Sequence, residues 1–409
     1  MYDSDVIIVG AGLTGLRAAI ELVNSGASVL LIEQSSGVGG RVKTLEHQGC
    51  LLDQGFQVIH SAYPELKLLP SLSSLALKNF TPGARIYFTD DSPASRIFNP
   101  LHRPFRGSLS LLTSEFAISD LLKCAPILLP RFRKPPKQQG VTLSQLLRDK
   151  KFTERFLSCF LRPMLRGVLL DESLHTDIGI ALFYAHIIAR GKASLPAKGM
   201  QALPDLLAST LGSHHILLNT RAIRISPHSV ELDSGEHLSA RKILCATEGL
   251  GAATLGGPCQ TSPYNGTATL YFRASTPPFS EPLLALSGDG LGPINNLAIL
   301  TNVQPSYTSD SSTLISASIV GRSATMPTDT LVQEARRQLK TWFGHSTHHW
   351  EFIRDFRIPD ATPSRPFCDD GWLEKEGLYY AGDYLAYGSQ NGALQAGRCV
   401  AQEILRNLF

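Results

Sequence analysis

The feature that most constrains this fold is an unbroken apolar run, Val6-Ile7-Ile8-Val9, leading directly into Gly10-Ala11-Gly12-Leu13-Thr14-Gly15. A strand that is apolar on both sides is buried on both faces, as inside a parallel sheet. A helix should follow, because Leu13, Leu16, Ala19, Ile20 and Val23 recur at helical spacing and Asn24-Ser25-Gly26 supplies a stop. Ser28 to Ile32 then reads as a second strand ending on Glu33. Strand, glycine turn, helix, strand and acid in this order form the βαβ unit that holds a dinucleotide. Gly10 permits the tight turn, Gly12 lets the backbone approach a pyrophosphate, and Gly15 lets the helix pack closely on the strand. The pyrophosphate then meets the N–H groups at the helix start, around Leu13 and Thr14. Glu33, with Gln34 beside it, is placed to accept hydrogen bonds from ribose hydroxyls and to repel a 2′-phosphate.

Other function classes recede on composition. A chain of 409 residues with 43% hydrophobic and 18% charged residues is too long for one core and too apolar for extended disorder. The net charge of +3 is spread along the chain, so no nucleic-acid partner is expected. Seven scattered cysteines (Cys50, Cys124, Cys159, Cys245, Cys259, Cys368, Cys399) include no C-x-x-C pair, which suggests neither a zinc site nor a redox dithiol and favours a reducing compartment. No metal is expected. The first apolar run is too short for a signal peptide, and none reaches the roughly 18 residues of a spanning helix. Two settings stay open, the cytoplasm and the face of a membrane.

The following loop, Ser35-Ser36-Gly37-Val38-Gly39-Gly40-Arg41, carries consecutive glycines whose N–H groups converge on an anion, with an arginine adding positive charge. This loop resembles the second signature of the flavin-containing amine oxidase, phytoene desaturase and protoporphyrinogen oxidase superfamily. The resemblance implies that Gly39, Gly40 and Arg41 line the phosphates and ribityl chain of FAD. Leu51 to Ile59 is similar to the family segment that passes the flavin, which assigns Gly55, Phe56 and Gln57 to the cofactor. Asn219 to Thr247 alternates as short strands and resembles the family's β-meander, whose first strand, here at Ala222, offers backbone hydrogen bonds to adenine.

The C-terminal region carries a second signal, with Leu378-Tyr379-Tyr380-Ala381-Gly382-Asp383 reading as a strand that ends in a glycine-acid pair. Gly388 to Gly397 then opens the last helix. In the resembling family, the residues matched by Gly382 and Asp383 contact the ribityl and phosphate portion. N–H groups at the helix start, here Asn391, Gly392 and Ala393, face the flavin pyrimidine, where a helix N-terminus favours reduction.

Because these segments lie at the beginning, middle and end, the resemblance covers the whole chain. It implies an α/β fold of amine-oxidase-like architecture, a discontinuous Rossmann-like FAD-binding domain over residues 1–75, 191–258 and 356–409. An α+β substrate-binding domain then covers residues 76–190 and 259–355. Residues 104–190 read as mainly helical, broken by Pro126, Pro130 and Pro135-Pro136. Strands are expected at Thr267–Phe272 and Thr313–Val320, with helices at Gln201–Ser209 and Thr330–Trp342.

No catalytic side chain announces itself, since the cofactor supplies the difficult step. His214-His215 and His348-His349 read as solvated loops, and Asp171-Glu172 as cap or surface groups. Arg162 and Arg166 share a helix face if the helix survives Pro163, where they would meet a substrate carboxylate or pair with acids. Lys198-Gly199-Met200 reads as a turn re-entering the cofactor domain. The amine-oxidase subset has a cage tyrosine where this chain has Asn391, which weakens the case for a simple amine. Cys368 does not sit where a flavin-linked cysteine would, so non-covalent FAD is expected. Leu121 to Phe132 with Arg131, Arg133, Lys134 and Lys137 combines apolar bulk and cations, for peripheral membrane contact or for an internal helix.

The function expected is therefore hydride removal from a C–C or C–N bond of a large, apolar small-molecule substrate. The electron acceptor is left among oxygen, quinone and protein. An amine oxidase, a flavin-dependent isomerase without net redox, and a carrier that has lost turnover are the alternatives.

Overall fold

The computed structural model describes residues 2–90, 94–103, 140–258, 264–364 and 370–409, with positions 105, 107, 116, 119, 120, 122–124 and 134–136 between them. The first strand, β1 (Ser4–Val9), holds Val6, Ile7 and Ile8 wholly buried, as its composition requires. Gly10 turns the chain into α1 (Leu13–Asn24), and β2 (Val29–Ile32) returns parallel to β1, one residue shorter than expected. On the other side of β1 lies β3 (His237–Cys245), also parallel, followed by β4 (Leu378–Ala381). The short strand Ile216–Leu217 extends the sheet beyond β2. The parallel sheet is thus assembled from chain segments more than a hundred residues apart.

The first half of β3 pairs antiparallel with Ser229–Leu232, which pairs with Ala222–Ser226 to complete a small meander. Helix Ala202–Leu211 covers one side with α1 and the C-terminal helix, where Leu16, Ala19, Leu203, Leu207, Val400 and Ile404 share a core.

A second, seven-stranded mixed sheet has the order Glu351–Pro363, Tyr264–Ala274, Thr313–Val320, Ile294–Ile299, Leu284–Ser287, Gly83–Tyr87, Ser95–Phe98. Among the described residues only the pairing of Leu284–Ser287 with Gly83–Tyr87 is parallel in this sheet. Helix Thr328–Phe343 covers this sheet through Leu331, Ala335, Leu339 and Trp342. Helices Leu143–Asp149, Arg162–Leu169 and α2 (Ile178–Arg190) pack among themselves around Phe156, Phe183 and Ile187. The helical expectation holds across these residues; most of 104–139, including the Leu121–Phe132 stretch, lies outside the described residues. Among the described residues no helix is long and apolar enough to cross a membrane.

Candidate functional site

A cavity of about 1050 Å³ starts at the end of β1 and runs between the parallel sheet, the mixed sheet and the helices. At its β1 end the glycines divide their tasks as the motif demands. A Cβ on Gly15 would overlap the carbonyl oxygen of Gly10, so the absence of a side chain there is what lets α1 sit against β1. Gly10 has φ of +107°, a conformation closed to most L-residues. Gly12 faces open space, with nothing within 4 Å of a Cβ built on it, and no side chain caps the helix that starts beside it. An uncapped helix start opposite an empty volume is the donor set an anionic pyrophosphate fits.

Glu33 directly follows β2 as a largely buried carboxylate, accepting from Ala11 N–H at 2.9 Å and from Ser35 N–H and Oγ at 2.9 and 2.6 Å. These contacts orient it and leave about one of its four acceptor sites, on Oε2, for a hydroxyl donor. Gln34, Thr220, Arg221 and Ala222 complete this end of the cavity.

Gly39 and Gly40, at φ of +118° and +60°, bring the next loop against Gly12, with which Gly39 forms a parallel bridge. Arg41 follows, donating to Ala361 O at 2.6 Å and to Asp383 Oδ1 at 2.5 Å. The pair joins two positions expected at the cofactor from opposite ends of the chain. Its charges offset each other, so an anion here draws chiefly on backbone N–H groups. Gly55, Phe56 and Gln57 form the adjoining wall; Gln57 Nε2 donates to the carbonyls of Arg41 and Gln54 at 3.0 and 3.2 Å.

The start of the C-terminal helix, α3 (Gln390–Arg406), is arranged differently from expectation. Of Asn391, Gly392 and Ala393, only Ala393 lines the cavity; Gly388, Ser389 and Gln390 form its wall instead. Gly392 N–H donates to Ser389 Oγ at 2.9 Å and Ala393 N–H to Ser389 O at 2.9 Å. Asn391 is wholly buried with its side chain turned inward, accepting from Glu65 N–H at 3.0 Å and donating to Tyr387 Oη at 2.6 Å. Gly15 likewise stands behind the cavity, in the helix packing. Gly10, Gly12, Leu13, Thr14, Glu33, Gln34, Gly39, Gly40, Arg41, Gly55, Phe56, Gln57, Ala222, Gly382, Asp383 and Ala393 all line it.

Beyond the Arg41–Asp383 pair the wall turns apolar. Phe152, Phe156, Phe160, Leu161, Met164 and Leu165 face it from one side, and Ala181, Ala185, Ile188 of α2 from another. Phe160 and Leu161 lie in a π-helical turn, Leu157–Leu161, of a kind frequent at functional sites. Arg162 and Arg166 do not contribute to the wall. Arg162 pairs with Glu154 at 2.9 Å, and Arg166 donates to the carbonyl of Glu172 at 2.9 Å. Asp171 organises a turn by accepting from Ser173 and Thr176, and the Lys198–Met200 turn is anchored by Met200 N–H on Asp53 at 2.9 Å. No group of three or more metal-ligating side chains occurs among the described residues, and Cys368 lies outside them.

Sequence reasoning missed several wall residues: Tyr184, whose Oη donates to Gly388 O at 2.8 Å, and Asn296, Thr267, His60 and Gln390. Tyr184 occupies a helical apolar stripe that reads as core, and the others are single polar residues in strands or at a helix start. No local pattern marks them.

A family model described as flavin containing amine oxidoreductase matches residues 13–405. Polyamine oxidase 4 of rice (Oryza sativa subsp. japonica) is 38% identical over 73 residues, which cover 18% of this chain and only 15% of that protein. A putative protoporphyrinogen oxidase from Exiguobacterium superposes over 100% of both chains with a TM-score of 0.73 at 17% identity. Cyclohexylamine oxidase from Brevibacterium oxydans superposes over 99% of both with a TM-score of 0.68 at 19% identity. At such identities the likeness is one of fold.

Proposed function

The chain belongs to the flavin containing amine oxidoreductase family, and from that premise we propose that it binds FAD non-covalently and oxidises a C–C or C–N single bond of a large, apolar organic molecule. The observation that carries the substrate half is the cavity itself, continuous from the dinucleotide fingerprint at Gly10–Gly15 to a wall of phenylalanine, leucine and methionine side chains. Among the described residues the charged groups that line it are Glu33, Arg41, Lys192, Arg221, Glu248 and Asp383. Most of these cluster with the glycine loops.

In this reading residues 1–75, 191–258 and 356–409 hold the cofactor, and residues 76–190 and 259–355 hold the substrate. The N–H groups at the start of α1 and the Gly39-Gly40 loop hold the pyrophosphate, Glu33 the ribose, and the backbone at Ala222 the adenine. Asp383, held by Arg41, faces the ribityl chain. When bound there, FAD supplies a hydride acceptor. The aromatic and aliphatic side chains of the helices exclude water and present a substrate C–H in a fixed pose. Hydrophobic contact of this kind supplies about 25 cal/mol per Å² of apolar surface removed from water, enough to hold a neutral substrate without an ion pair.

An amine substrate is the second reading, favoured by the polyamine oxidase likeness. It requires a face for an ammonium ion, and Tyr184 is an aromatic candidate in the wall.

The test is an anaerobic visible spectrum of the purified protein, followed by titration with an amine panel, a porphyrinogen and a carotenoid precursor. Flavin bands that bleach with an apolar substrate are the expected result. Bleaching by amines alone transfers the assignment to the second reading, and a protein that cannot be loaded with FAD overturns both.

A further inference from the structure

Two polar side chains in the cavity wall give their hydrogens to the fold itself: Thr267 Oγ1 donates to Ile319 O at 2.8 Å, and Tyr184 Oη to Gly388 O. Asn296 does not. It stands in the strand Ile294–Ile299 of the mixed sheet and lines the cavity, although it is only 3% exposed. Its direction follows from the sheet, because directly opposed residues of an antiparallel pair point to the same face. Asn296 opposes Leu286, as Ala298 opposes Leu284. Leu284 and Leu286 line the cavity, whereas Ala285 and Leu297, on the other face, share a core with Leu331 and Leu339 of the helix Thr328–Phe343. The Asn296 amide therefore projects on the cavity side.

Which end of that amide meets the cavity is fixed by its neighbours. Pro163 O, a carbonyl of the helix Arg162–Leu169, can only accept, and Asn295 Nδ2 donates to it at 2.9 Å. The second hydrogen of the same nitrogen goes to Asn296 Oδ1 at 3.0 Å. Oδ1 is thus the engaged end. No hydrogen bond engages Asn296 Nδ2 among the described residues, and this nitrogen is not one of the partnerless polar atoms sealed in the interior, so it keeps a surface open to the cavity. Gly167 makes the arrangement possible. A Cβ there would lie 2.9 Å from Asn296 Oδ1 and 3.0 Å from Asn295 Nδ2, so only a glycine lets the helix sit against the two amides. Pro163, Met164, Gly167 and Val168 of this helix share the cavity with Asn296.

A molecule that fills the cavity separates this donor from water and leaves it unsatisfied unless it brings an acceptor of its own. An uncharged carbonyl oxygen meets that requirement, since it accepts without donating. A carboxylate would lose more hydration on entering an apolar wall than a neutral amide returns. An ammonium group would bring donors to a donor.

We propose that Asn296 Nδ2, oriented by Asn295, is a specificity-determining donor in the wall of this cavity, selecting apolar molecules that carry an uncharged carbonyl oxygen. The inference rests on the reading of the cavity as the substrate site and adds to it the chemistry by which one apolar substrate is told from another.

The experiment compares cyclododecanone, cyclododecane and cyclododecylamine, all in the same detergent, by calorimetric titration of the purified protein with its flavin content recorded from the visible spectrum. Wild-type protein should bind the ketone about tenfold more tightly than the hydrocarbon, the ratio that one satisfied hydrogen bond produces. The amine should bind no better than the hydrocarbon. Asn296→Leu should bring the ketone-to-hydrocarbon ratio close to one by weakening the ketone alone, and the infrared carbonyl stretch of the bound ketone, lowered in the wild type, should rise again. Asn295→Leu should reduce the ratio, because the Asn296 amide is then free to turn either end to the cavity. If Asn296→Leu does not fold, Asn295→Leu carries the comparison. Equal binding of ketone and hydrocarbon by the wild type, or a ratio unchanged in the leucine variants, overturns the proposal and leaves the apolar reading of the cavity standing. Tighter binding of the amine than of the ketone overturns it in favour of an amine substrate, and a protein that binds none of the three overturns both the subsite and the reading beneath it. A preparation without flavin that still prefers the ketone through Asn296 would instead sink the FAD reading and leave the subsite in place.

Discussion

At the scale of single residues, two glycines of one motif should fail in different ways when given a methyl group. Gly12→Ala adds a Cβ in open space, so thermal unfolding should stay where it is while FAD affinity falls at least about tenfold, the methyl standing where a phosphate must approach. Gly15→Ala adds one against the Gly10 carbonyl, so α1 must shift away from β1, at a cost of about 1–3 kcal/mol in denaturant unfolding. Equal losses of stability in the two variants would refute this division of labour. Arg41→Ala leaves Asp383, which is only slightly exposed, without its cation. FAD binding should weaken more in Arg41→Ala than in the Arg41→Ala, Asp383→Asn double variant, because the double variant removes the unpaired charge as well. Titration of flavin-free protein with FAD measures the affinities of Gly12→Ala and of the two Arg41 variants.

At the scale of elements, the entry to α3 is held by a relay that local sequence does not display. Glu65 N–H, Asn391 and Tyr387 are linked as described above, Tyr387 donates onward to Gln395 Oε1 at 3.1 Å, and Arg398 grips the Glu65 carboxylate at 2.9 and 2.7 Å. Asn391→Leu breaks this relay in the interior and should cost about 1–3 kcal/mol. The Gly388–Gln390 turn lies in the cavity wall, so the same change should also alter the absorption envelope of bound flavin. A variant with lowered melting temperature and an unaltered spectrum would show that the relay serves stability alone. Elements themselves were largely legible. The helix expected at Thr330–Trp342 spans Thr328–Phe343 because its periodic apolar stripe buries one face, and the strand expected at Thr313–Val320 has those bounds, an apolar run buried on both faces. The direction of Asn391 was not legible, because a helix start exposes donors on every side and only the packed neighbours decide which face meets the cavity.

At the scale of the whole molecule, Asp53 ties distant units together from a nearly inaccessible position. It accepts from Thr44 Oγ1 at 2.6 Å, from Met200 N–H at 2.9 Å and from Tyr307 Oη at 2.9 Å, while Tyr271 donates to its carbonyl at 2.8 Å. Burial outweighs these bonds and raises its pKa from 3.8 to about 6, so the folded chain favours the protonated carboxyl. Its contribution to stability is therefore full below about 4 and declines as pH rises to about 6. The difference in unfolding free energy between wild type and Asp53→Asn should shift by roughly 2–3 kcal/mol across that window in favour of the asparagine protein, a figure set by about 1.36 kcal/mol per pKa unit. A difference independent of pH would refute it. Binding of FAD to the folded chain alone should raise the melting temperature, by the equivalent of about 2.7 kcal/mol at a hundredfold excess over Kd. What the amino-acid sequence by itself determined is the βαβ unit, the glycine loops and the strand ending in Gly382-Asp383, since each follows from backbone requirements met within a few neighbouring residues. What only the tertiary structure decided is the offset charge of Arg41, the inward turn of Asn391, the pairing of Arg162 with Glu154 and the bond of Arg166 to the Glu172 carbonyl. Each depends on which side chains meet across the sheets, and a residue's partners in space are not written in its neighbours along the chain.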